Sequence, residues 1–120
     1  MLHHELPIYR TGEALLGLAM DVEVQMPRQF KRSMGGRIHA HCVEMLDEMA
    51  LANATQRRER QQHIEEVLKR QRAVTTLLRV CFNRRMVSPK LWGEATQLLD
   101  GIGRQAGGWL KSARDKAPAA

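Results

Sequence analysis

The sequence predicts an all-α protein, an antiparallel up-down-up-down four-helix bundle forming a single domain over residues 1–120. Three observations carry that expectation. Apolar residues recur at the spacing of one helical face in four successive stretches. No stretch alternates with period two for long enough to make a strand. The breaks between the stretches are short, which makes each helix the antiparallel neighbour of the next. A chain of 120 residues buries roughly two-thirds of the surface it exposes when unfolded, so it folds without metal or disulfide. Aromatic residues are 4% of the chain, which leaves the core to Leu, Ile, Val, Met and Ala.

The first helix starts near Pro7, a residue tolerated in a first turn, and sets Leu15, Leu18, Ala19, Val22 and Met26 on one stripe. Pro27 ends it, because proline lacks the N–H and clashes with the preceding turn. The same proline can open the second helix as its N1 residue, with Phe30, Met34, Ile38, Cys42, Met45 and Met49 on one face. Gly35 and Gly36 interrupt that helix at roughly 1 kcal/mol each against alanine; they serve either a close backbone contact or a frayed first turn. Asn53 to Gln56 form a polar break. The third helix follows with Ile64, Val67, Leu68, Val74, Leu78, Cys81 and Phe82 on its apolar side. Ser88-Pro89 reads as N-cap and N1 of a fourth helix. That helix buries Leu91, Trp92, Ala95, Leu99, Ile102 and Ala106 and runs to about Lys111, placing the ordered core over about 7–112 and a loose tail from Ser112 on.

Charge divides the chain. Its net charge is +6, yet residues 1–56 hold 5 basic and 7 acidic side chains whereas residues 57–120 hold 14 and 6. No carboxylate occurs from Val67 to Gly93, where Lys69, Arg70, Arg72, Arg79, Arg84, Arg85 and Lys90 all fall. Such asymmetry points to a polyanion or an acidic protein partner, against the plain alternative of a solvated face. At 100° per residue Lys69, Arg72 and Arg79 share a face of the third helix, with Arg84 and Arg85 at its end, and such a row can neutralise phosphates. Arg28, Lys31, Arg32 and Arg37 make a second basic cluster. No aromatic platform for base stacking is visible, so weak sequence selectivity is expected. The absence of a secretory leader before Cys42 and Cys81 favours reduced thiols and a cytoplasmic location. No apolar run approaches the ~18 residues of a membrane span.

The candidates for chemistry are thin. His39 and His41 diverge by about 200° around a helix. His39 with Cys42 makes an i, i+3 pair, but zinc wants three or four ligands and His63 lies on another helix. Glu44, Asp47 and Glu48, and the Glu65-Glu66 pair, are ordinary for helix surfaces; the Glu-x-x-His pattern of a carboxylate-bridged bundle is missing. Cys42 and Cys81 lie in apolar stripes, where inert thiols are the rule. The expectation is no active site, no metal and no cofactor.

Gly101, Gly103, Gly107 and Gly108 fall within one helical pattern, at a nominal cost of ~4 kcal/mol against alanine. The spacing follows no strand, which excludes a dinucleotide fingerprint. Gly103 and Gly107 lie on one face beside Leu99 and Leu110, a smooth strip that lets another helix approach, from the same subunit or another. The segment from Gly101 to Ser112, GIGRQAGGWLKS, resembles the ending of the accessory variability determinant proteins, small four-helix subunits encoded in diversity-generating retroelements. Met26-Pro27-Arg28, Met34-Gly35-Gly36-Arg37-Ile38, Leu77-Leu78-Arg79 and Ser88-Pro89 also fit that family, so the resemblance covers about residues 6 to 112. Gln105 and Ala106 depart from it, standing where larger apolar residues are expected.

The resemblance implies a non-catalytic accessory subunit. Members assemble as ring-like homopentamers with a basic surface, bind the retroelement's reverse transcriptase and its template RNA, and support mutagenic complementary-DNA synthesis. On that reading Arg28, Lys31, Arg32, Arg37, Lys69, Arg72, Arg79, Arg84 and Arg85 meet nucleic acid or the polymerase, and Gly103, Gly107, Trp109 and Leu110 serve helix packing or a subunit interface. Two other readings remain: a nucleic-acid-binding bundle like those encoded in ribosomal intervening sequences, without a polymerase partner, and an oligomerisation scaffold.

Overall fold

The computed structural model describes residues 1–116. Among these residues the regular structure is helical throughout. After a 3₁₀ turn at His3–Glu5 come four long helices: α1 (Pro7–Gln25), α2 (Gly36–Ala54), α3 (Arg57–Asn83) and α4 (Pro89–Lys116). A helical turn at Arg28–Phe30 and a π-helical segment at Lys31–Gly35 lead directly into α2. α1 packs against α2 and α4, and α3 packs against the same two. The result is a helical bundle measuring 50 × 25 × 19 Å.

The contacts between helices fix their register. Gly12 lies beside Leu46 and Met49, while Gly35 lies beside Glu23 and Met26. The Arg60 side chain donates to the Ala52 carbonyl at 2.9 Å, and further along α3 Arg70 meets Glu44. Gln71 donates to the Leu99 carbonyl at 3.1 Å, and Arg114 pairs with Glu65 at 3.4 Å. Gln105 donates to the Thr11 hydroxyl at 3.2 Å. Gln105 thus makes a polar link to α1 at a position where an apolar residue was expected.

The core is built from the predicted residue types, but Met34, Leu91 and Trp92, expected on buried faces, only pack against its edge and are half-buried. Leu15, Met45, Met49, Ile64, Val67, Val74, Leu78 and Ile102 are fully buried, and sequestering each from water stabilises the fold by about 1.5–3 kcal/mol. Leu68 and Phe82 pack against this core while half-exposed. Among the described residues no buried side-chain polar atom lacks a hydrogen-bond partner.

Three local expectations change. Pro27 caps the Arg28–Phe30 turn and stands one position ahead of N1. Phe30 leaves the apolar face and is 37% exposed; it ends the short Arg28–Phe30 turn ahead of the π-helical segment, where the spacing of a continuous α-helix does not apply. The tail expected from Ser112 is helical to Lys116, with Ala113 buried against the bundle; residues 117–120 lie outside the described region. Of the two readings of the α2 glycines, the close contact applies at Gly35. A Cβ there would stand 2.9 Å from Glu23 Cγ and 3.3 Å from Met26 Sδ.

The α3–α4 connection is short and tied down. The Met86 N–H donates to the Cys81 carbonyl at 2.8 Å, and the Arg85 N–H to the Phe82 carbonyl at 2.9 Å. These are the two bonds of a Schellman helix ending. Glycine usually holds its left-handed position, but here Arg85 does, at φ 61°. The Leu91 N–H then donates to Ser88 Oγ at 3.2 Å, the predicted N-cap of α4. No helix among the described residues is long and apolar enough to cross a membrane.

Candidate nucleic-acid interface

A polar seam between α2 and α3 decides which cations are free. Arg70 is held by Glu44 and Glu66 and donates to His41 Nδ1 at 3.1 Å. His63 Nδ1 lies 2.6 Å from Glu48. Glu44, Glu48 and Glu66 are therefore structural partners, and Arg70 is neutralised despite lying in the carboxylate-free stretch. Among the described residues none of Arg28, Lys31, Arg32, Arg37, Lys69, Arg72, Arg79, Arg84 or Arg85 pairs with a carboxylate. All are exposed except Lys31, which is half-exposed.

The two sequence clusters are rearranged in space. Arg37 of α2 and Arg72 of α3 line one groove with His41, Ala73, Thr76 and Leu77, a cleft of about 340 Å³. Lys31 instead lines a groove toward α1 with Met20, Glu23, Val24 and His39. Lys31 and Arg37 thus face different neighbours across the π-helical segment. Arg85 lines a third groove at the α3–α4 connection, beside Phe82. Sequence reading assigned Phe82 wholly to the core and so missed an aromatic surface next to a cation; only the half-burial of its ring reveals it.

Burial, and then the Arg70 guanidinium, hold the His41 pKa below the usual histidine range, with Glu44 opposing and Arg37 adding to the effect. Neutral His41 can accept the Arg70 proton donor. The unfolded chain then binds more protons than the fold does near the ordinary histidine pKa of about 6.5, so stability rises with pH across that range. Resistance to urea is expected to fall as the pH drops below about 6.5, and His41→Gln should flatten this part of the profile. Equal slopes for parent and variant would refute the assignment. Cys42, buried, has its thiol pushed up to about 12, and burial also raises Cys81. His39 is exposed while Cys42 is buried, so the i, i+3 pair does not converge. Among the described residues no group of three or more His, Cys, Asp or Glu side chains could hold a metal ion.

The glycine-rich stretch of α4 divides into an inner and an outer part. Leu110 and Ala106 are in the core, a Cβ placed at Gly103 would stand 3.5 Å from the Gln71 side chain of α3, and Trp109 lines a groove with Leu6, Pro7 and Ile8. Nothing stands within 4 Å of a Cβ placed at Gly107 or Gly108. A family model described as bAvd-like matches residues 8–113. The chain belongs to the bAvd-like family. No curated protein and no solved structure matches it. The bAvd-like match spans all four helices of the bundle and ends at Ala113, the last buried residue of α4. It therefore takes in both the cationic α2–α3 groove and the open glycines Gly107 and Gly108.

Proposed function

We propose that this bAvd-like protein is a non-catalytic accessory subunit of a retroelement reverse transcriptase, which binds the polymerase and its template RNA through a basic surface and supports mutagenic complementary-DNA synthesis. The observation that carries this reading is the family match over nearly the whole chain, joined to Arg37, Lys69, Arg72 and Arg79 on α2 and α3, exposed cations with no carboxylate partner among the described residues. The inter-helix contacts support an antiparallel up-down-up-down course. The protein works in the cytoplasm as a homo-oligomer, a pentamer by resemblance. Exposed Met20, Val24, Phe30 and Val43 supply apolar surface for assembly, and repetition of the basic face around a ring raises avidity for a polyanion.

Binding of single-stranded RNA over a salt series tests this. Each phosphate neutralised contributes roughly −0.7 to the log–log slope, so a steep fall with salt is expected, together with co-purification of the reverse transcriptase. A flat salt response removes the phosphate mechanism. RNA binding without polymerase capture leaves the ribosomal intervening-sequence type of bundle.

The open glycines give an independent test of assembly. Gly107→Ala is expected to stabilise the isolated subunit toward urea by about 1 kcal/mol, the helix-propensity difference, and to weaken the oligomer measured by light scattering, because a partner helix approaches there. A stabilised subunit with undiminished assembly would place the interface elsewhere.

A further inference from the structure

The groove at the α3–α4 connection has the chemistry of a nucleotide site. It encloses about 690 Å³ and is lined by Phe82, Met86 and Val87 on its apolar side and by Gln25, Asn83 and Arg85 on its polar side. Ligand clefts commonly fall in this size range, with mostly apolar walls and a few orienting polar groups. The Phe82 ring is not free to drift, since the Trp92 indole stacks against it at 5.3 Å with 26° between planes. No lining residue is a carboxylate, Arg85 of the lining is exposed, and so are Arg84 and Lys90, each next in sequence to a lining residue. A cationic ligand is disfavoured and an anionic aromatic one is favoured. The backbone adds a further sign. Arg85 occupies the left-handed position of the Schellman ending at φ 61°, a conformation that L side chains seldom adopt, and this conformation sets the cation beside the aromatic wall.

We propose that this groove binds one unstacked nucleotide, with its base against Phe82, its phosphate on Arg85 and its base edge within reach of the Gln25 and Asn83 amides. The ligand is either an unpaired nucleotide of an RNA strand or a free nucleoside monophosphate. In the first case the proposal rests on the RNA-binding reading above and adds a base-contacting site to a surface otherwise read as phosphate-binding.

The test measures binding of three probes to the intact protein: a short oligoadenylate, an abasic strand of equal length, and adenosine monophosphate. Phe82→Leu keeps apolar volume against Trp92 and removes the stacking surface. Arg85→Gly removes the cation and relieves the left-handed strain, so it folds more stably than the parent and reports on binding even if Phe82→Leu does not fold. If the ligand is a strand nucleotide, the parent prefers oligoadenylate over the abasic strand at least tenfold. Phe82→Leu erases that preference without changing abasic binding, and Arg85→Gly weakens oligoadenylate. If the source is a free nucleotide, adenosine monophosphate binds and both variants abolish it, whether or not either strand binds; failure of both strands then sinks the RNA reading alone. Oligoadenylate and adenosine monophosphate affinities unchanged in Arg85→Gly, or no base preference and no adenosine monophosphate binding in the parent, would overturn the proposal.

Discussion

Leu78→Ala is expected to lower the unfolding free energy by about 2–5 kcal/mol, the range for truncating a large aliphatic side chain in a well-packed core. Leu78 has no exposed surface, and Val74 and Cys81 on the same face of α3 have none either. α3 is gripped from both sides, by α2 and by α4, so neither wall can move in without leaving the other. The cavity therefore persists, and its cost adds to the lost transfer free energy. The urea midpoint should drop with the denaturant slope unchanged. Val80→Ala, two residues on at a site that is 45% exposed, provides the control and should change stability by under about 1 kcal/mol. Equal losses at the two positions would refute the orientation of α3.

The second large effect concerns charge. Arg72→Glu with Arg79→Glu reverses two cations on the exposed side of α3 and is expected to weaken RNA binding at least tenfold, about 1.4 kcal/mol. Both side chains are exposed and neither pairs with a carboxylate among the described residues, so the fold and the oligomer should survive. The salt dependence should become shallower as phosphate contacts are lost. A titration at several salt concentrations checks both the affinity and the slope, and an unchanged affinity would exonerate this face of α3.

The bundle was legible because each helix writes its own boundaries and stripe. Pro7, Pro27 and Ser88-Pro89 mark starts and stops through backbone chemistry that acts within a few residues. The buried set from Leu15 to Ile102 follows directly from 3.6-residue periodicity. Other features depend on a second element and leave no local trace. Arg70 reads as one more cation until Glu44 arrives from another helix. Arg37 and Arg72 lie far apart in sequence and share a groove only because α2 packs on α3. Phe82 fits the apolar stripe, and its partial exposure follows from how the α3–α4 connection turns away. Phe30 failed for a different reason: the spacing rule assumes an uninterrupted α-helix, and the segment ahead of α2 is wound more loosely.

That looser winding makes the stretch from Lys31 to Gly35 the chain's spare link. A π-helical turn holds one residue more than the α-helical turn it replaces, so losing one residue here tightens the coil and leaves the helix continuous. Five π-helical residues and the four α-helical residues that would replace them both turn through about 400°, so Arg28 and Phe30 ahead of the link would keep their direction relative to everything after it. A deletion anywhere between Ile38 and Met49 would instead turn buried methionines toward water. A one-residue loss in this helix is thus absorbed at a single point, and both Arg28 before the link and Arg37 beyond it keep their bearings.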